Sequence, residues 1–84
     1  MTPSIRVKVL FFGRLKELAG AENFVELAPG TRIEELFANF TARQPELARY
    51  RGSLVASRNQ EFVAWSTPLL SGDEIAFLPP VSGG

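Results

Sequence analysis

The segment Phe77-Leu78-Pro79-Pro80-Val81-Ser82-Gly83-Gly84 sets two prolines and then two glycines behind an apolar, strand-like run. Glycine has no Cβ, so a Gly-Gly end threads a channel too narrow for any side chain. Each proline fixes its own φ and pushes the residue before it toward extended conformations, which stiffens the approach. Such an end suits chemistry performed on the Gly84 carboxylate inside another protein's active site. The competing reading is a frayed terminus without a role, since chain ends are commonly disordered. The rest of the sequence decides between them.

Little else in the chain can do chemistry. There is no cysteine and no histidine. That removes the commonest nucleophile–base pairs, the usual zinc ligands and any thiol on which to carry sulfur. Neither a glycine-rich phosphate loop nor a His-Glu-x-x-His pair is present. Glu34 and Glu35 are neighbours on a predicted helix, so their side chains diverge instead of converging as an acid–base pair. Asp73-Glu74 follows Ser71-Gly72 and reads as a turn leading into a strand. As a self-contained enzyme the chain has little to work with.

Composition narrows the partners. Nine acidic and nine basic residues give no net charge, hence no electrostatic footprint for nucleic acid or an anionic membrane. Val9-Leu10-Phe11-Phe12 is far too short to span a bilayer, and the N-terminal residues lack the apolar core of a signal peptide. Absence of disulfides is compatible with the cytoplasm, which is the expected location. The 84 residues are 45% hydrophobic with seven phenylalanines, enough for one domain with a real core. A chain of this size buries about 60–65% of its unfolded surface.

Strict alternation over 4–12 puts Ile5, Val7, Val9 and Phe11 on one face of a strand, with Arg6, Lys8, Leu10 and Phe12 on the other. Gly13 breaks it, and 14–19 predicts a short helix stopped by Gly20. A second strand is expected over 23–27, closed by Pro29-Gly30. Thr31 and Glu34 have capping-box spacing, and Ile33, Leu36, Phe37 and Phe40 form the stripe of the main helix. Pro45 ends it, and 46–51 predicts a further helical turn. Three more strands are expected over 54–57, 61–65 and 74–78, with turns at Asn59-Gln60, Pro68 and Ser71-Gly72.

This order predicts an α+β domain over 1–80, a mixed sheet of about five strands with one main helix on one face, and a flexible tail over 81–84. The opposite face should be polar if nothing binds there. By phase, Phe12, Phe62 and Leu78 share it. They form either an exposed apolar patch at the base of the tail, the mark of a protein interface, or surface under a short helix or loop.

Lys8-Val9-Leu10-Phe11-Phe12, Glu17-Leu18-Ala19-Gly20 and the closing pattern resemble the small subunits of molybdopterin synthase. That pattern runs through Pro68-Leu69, Gly72-Asp73-Glu74-Ile75-Ala76-Phe77, Pro79-Pro80-Val81 and Gly83-Gly84. The resemblance covers nearly the whole chain and implies the ubiquitin-like β-grasp fold. It further implies a sulfur carrier that is not catalytic alone. An ATP-dependent activating enzyme related to ubiquitin E1 would adenylate Gly84. Sulfur would then replace an oxygen, and the resulting thiocarboxylate would serve the synthase large subunit in a heterotetramer. The carrier itself binds no cofactor; ATP is consumed by the activating partner.

By alignment with that family, Phe12, Phe62 and Leu78 are contact positions and Lys16 is a basic docking position. Pro79, Pro80, Val81 and Ser82 form the segment that enters the partner, Gly83 gives clearance, and Gly84 carries the cargo. Carriers for thiamin thiazole synthesis, transfer-RNA thiolation or cysteine synthesis share the Gly-Gly end. A ubiquitin-like modifier joined through Gly84 to target lysines remains open too, as does a plain interaction domain.

Overall fold

The alternation in β1 (Ile5–Phe11) buries Val7, Val9 and Phe11 on one side and leaves Arg6, Lys8 and Leu10 on the other. A computed structural model describes residues 3–79. Along the chain follow α1 (Arg14–Ala19), β2 (Glu22–Leu27), α2 (Ile33–Arg43) and a 3₁₀ segment (Pro45–Ser53). They are followed by β3 (Val55–Arg58), β4 (Glu61–Val63) and β5 (Glu74–Leu78). The sheet order is β2-β1-β5-β3-β4. β1 and β5 run parallel in the middle, with Phe11 beside Phe77, and every other pairing is antiparallel. This is the expected β-grasp arrangement.

One continuous core lies on the side of the sheet that faces α2. Ile33, Leu36, Phe37 and Phe40 of α2 meet Val7, Val9, Phe11, Ile75 and Phe77, and Leu15, Leu47 and Leu69 seal the periphery. Phe77 is its hub. Its ring centroid lies 5.0 Å from Phe37, 5.2 Å from Trp65 and 5.6 Å from Phe11. Aromatic pairs at such distances add specific geometry to the area they bury.

The start of α2 differs from the Thr31/Glu34 expectation by one residue. Glu35 Oε1 accepts the Arg32 backbone N–H at 2.9 Å, while Thr31 Oγ1 donates to the Ala28 carbonyl at 2.7 Å and belongs to the preceding turn. The cause is tertiary. The Ile33 and Glu34 amides, otherwise orphaned at a helix start, donate to the Thr67 and Trp65 carbonyls. The distant loop that carries Trp65 and Thr67 therefore sets the helix register. The same contact ends β4 at Val63 instead of Trp65. There the chain turns, with the Thr67 amide bonded to the Ala64 carbonyl, and the Trp65 ring is capped by the Arg51 guanidinium 3.4 Å from its centroid.

The β3–β4 hairpin turns through Asn59 (φ 52°) and Gln60 (φ 71°), both in the left-handed region that two-residue hairpins demand. Asn59 also ties this turn to the start of β5. Its Oδ1 accepts the Glu74 amide at 2.9 Å, and its Nδ2 donates to Asp73 Oδ1 at 3.1 Å. Asp73 Oδ2 accepts the Leu70 amide at 2.8 Å. The buried Asp73 carboxylate is thus a structural clamp, and the charged group beside it is the Arg58 guanidinium, 3.8 Å from its Oδ2.

Candidate partner interface

Strand register decides what stands on the sheet face away from the core. Leu10 is beside Ala76, Ser57 is opposite both Ala76 and Phe62, and Val55 is opposite Leu78. Paired residues share a face, so Leu10, Ala76, Leu78, Ser57 and Phe62 stand together. Phe12 follows β1 directly and joins them. Among these, Phe12 is 45% and Phe62 68% exposed, while Leu78 is half-buried. A shallow groove of about 330 Å³ runs between Leu10, Phe12, Phe62, Ala76 and Leu78, with Ser57, Gln60 and Glu74 at its polar margin. No described helix or loop covers Phe12 or Phe62, so the patch is exposed among the described residues.

The groove has a definite place in the fold. β1 and β5 are parallel, so Phe12 and Leu78 lie at the same end of the sheet, where the chain leaves β5 through the exposed Pro79. Toward the other end the face becomes charged. Lys8 Nζ sits 3.1 Å from Glu22 Oε2 and 3.8 Å from Glu74 Oε2. Beyond it the Arg6 guanidinium lies 5.3 Å over the Phe24 ring. An apolar centre bordered by paired charges is the ordinary anatomy of a protein contact surface.

Phe12, Phe62 and Leu78 are therefore brought together as their phase predicts. Lys16 is exposed on α1 and does not line the groove. Pro80, Val81, Ser82, Gly83 and Gly84 lie outside the described residues. Sequence reading passed over Ser57 and Gln60 as groove residues, because the Ser57–Phe62 and Ser57–Ala76 pairings join segments whose register no local pattern fixes. Leu10 was readable from the alternation that it shares with Phe12. Among the described residues no cluster of acidic side chains can hold a metal ion, and no helix is long and apolar enough to cross a membrane.

Comparison with known proteins agrees with this architecture. The ThiS family matches residues 9–84. The molybdopterin synthase sulfur carrier subunit of Escherichia coli is 40% identical over 80 residues, covering 93% of this chain and 99% of the relative. Subunit 1 or 2 in the solved complex of the molybdopterin-converting factor subunits from Helicobacter pylori matches with a TM-score of 0.68 at 32% identity, over 95% of this chain and 100% of that one. The small archaeal modifier protein 1 of Methanosarcina acetivorans gives 0.76 at 27% identity, over 98% and 99%. A ubiquitin from Caldiarchaeum subterraneum gives 0.63 over 98% and 100%, and its 12% identity speaks for the fold alone. With the ubiquitin-like β-grasp sheet, its exposed apolar groove and these likenesses together, the chain belongs to the ThiS family and groups there with the molybdopterin synthase sulfur carrier subunits.

Proposed function

We propose that this chain carries sulfur on the Gly84 carboxylate for a molybdopterin synthase. The observation that carries the reading is the apolar groove of Phe12, Phe62 and Leu78 at the sheet end from which Pro79 leads toward Gly83-Gly84. The likeness to a chain of a molybdopterin-converting factor complex supports a large subunit as the partner, and the groove is the surface that we assign to it.

The chemistry follows from the residues. An α-carboxylate with a pKa of about 3.5 is ionised and unreactive at neutral pH. An E1-like enzyme spends ATP to adenylate it, turning the oxyanion into a leaving group. Sulfide-level sulfur from a donor then adds to the acyl carbon, the C–O bond to AMP breaks, and a thiocarboxylate remains, a polarisable nucleophile formed without any cysteine. The synthase large subunit takes up the tail, and sulfur passes to cyclic pyranopterin monophosphate. Two such transfers build the dithiolene of molybdopterin. Two carriers flank a large-subunit dimer, so each active site is fed by its own tail. Pro79 and Pro80 limit the conformations lost on entry, and Gly83 lets the backbone pass.

The groove residues supply docking energy. Phe62→Asp is expected to weaken large-subunit binding by about 2 kcal/mol or more, roughly thirtyfold in Kd. Its ring is largely exposed, so stability should move by less than about 0.5 kcal/mol. Titration calorimetry and thermal melts check both. Unchanged affinity, or a large loss of stability, would contradict the assignment of Phe62 to the interface.

The likeness to a small archaeal modifier protein favours a second reading, in which lysines of other proteins attack the same adenylate, accept the Gly84 acyl group and release AMP. Lysine adducts in lysate that vanish when Gly84 is deleted would support it, and a blot without adducts would count against it.

A further inference from the structure

The sequence holds two lysines, Lys8 and Lys16, against seven arginines. A chain whose carboxyl end is activated for acyl transfer is exposed to the nucleophiles of its own copies. With neither cysteine nor histidine present, side-chain amines lead that group. Guanidiniums stay protonated and do not compete. The fold treats its two amines differently. Lys8 Nζ is held on the sheet between Glu22 and Glu74, its side chain 35% exposed. Lys16 stands exposed on α1, with no ion pair among the described residues.

We propose that Lys16 is a modification site, the amine that accepts the Gly84 acyl group of a second copy of this chain, and that Lys8 is shielded from the same reaction. The site rests on the activation step of the reading above. In the reaction the Lys16 Nζ lone pair forms a C–N bond to the Gly84 carbonyl carbon of the acyl adenylate. The C–O bond to phosphate breaks, AMP leaves with that electron pair, and the nitrogen releases a proton to water. Nothing is oxidised or reduced, and ATP is the co-reactant consumed by the activating enzyme. Attack by Lys8 would first require its nitrogen to leave both carboxylates and rise from the sheet face. A lysine-poor surface thereby confines self-conjugation to one helix.

Two measurements on the full chain test the site. In the first, the N-hydroxysuccinimidyl ester of acetyl-Gly-Gly acts as the acyl probe and labelling is followed by peptide mapping. Lys16 is expected to react about fivefold or more faster than Lys8, the ratio that release from two partly exposed ion pairs gives. Equal rates, or faster Lys8, overturn the proposal. In the second, the chain is incubated with ATP and the activating enzyme without a sulfur source. A dimer linked through Lys16 is expected, lost in Lys16→Arg and kept in Lys8→Arg. Linkage at Lys8 or at an α-amino group overturns the proposal, as does a Gly84 hydroxamate formed with hydroxylamine while no dimer appears without it. A missing hydroxamate would instead contradict the activation step, and the ester rates then decide the site.

Discussion

Deleting Gly84 is expected to reduce sulfur transfer to background while leaving the melting temperature within about 4 °C of the parent. The reach of the tail explains the first effect. One residue of extended chain spans about 3.5 Å, so a chain ending at Gly83 holds its carboxylate that far short of the reacting centre. Misplacement by about 1 Å can lower a rate some hundredfold, and a loss greater than that follows here. The second effect follows from packing. The buried core closes with Phe77, seven residues before Gly84, and no core residue comes later among those described. Reconstituted molybdopterin formation and a thermal melt read the two halves separately. Retained transfer would remove Gly84 from the mechanism, and a fall of many degrees would give the tail a part in the fold.

Phe77→Ala should do the opposite, unfolding the domain that presents the tail. The ring is fully buried and touches Phe11, Phe37 and Trp65. Removal of such a ring costs about 3–5 kcal/mol, because transfer energy is lost and the surrounding aromatic rings cannot fill the space. Domains of this size hold about 5–15 kcal/mol or less in total, so most of the stability would go. At about 4–8 °C per kcal/mol the melting temperature should fall by 12 °C or more. Urea denaturation checks the loss directly. A change below about 1 kcal/mol would mean that Phe77 is not the hub of the core.

Local pattern made much of this legible. Period-two alternation gave β1 and its two faces, and the stripe Ile33, Leu36, Phe37, Phe40 gave α2, because a half-buried element writes its burial into its own sequence. Phase allowed Phe12, Phe62 and Leu78 to share one face, and the strand register puts them there. Three features were hidden because their causes lie far along the chain. The carbonyls of Trp65 and Thr67 set the start of α2 and move its cap from Thr31 to Arg32. Asp73 looks like a turn residue, yet its carboxylate is buried against Asn59, 14 residues away in sequence. The parallel pairing of β1 with β5 joins opposite ends of the chain, and on it depends the convergence of Phe12, Leu78 and the base of the tail. Residues 80–84, which carry the proposed chemistry, were read from their types together with the resemblance to the molybdopterin synthase small subunits.

The most direct test is the intact mass of the chain after incubation with ATP, an active E1-like enzyme and a sulfur source. A shift equal to the exchange of one oxygen for one sulfur, mapped to the peptide ending in Gly84, is the predicted result. An unchanged mass, with the enzyme shown to be active on another carrier, would contradict sulfur carriage by this chain.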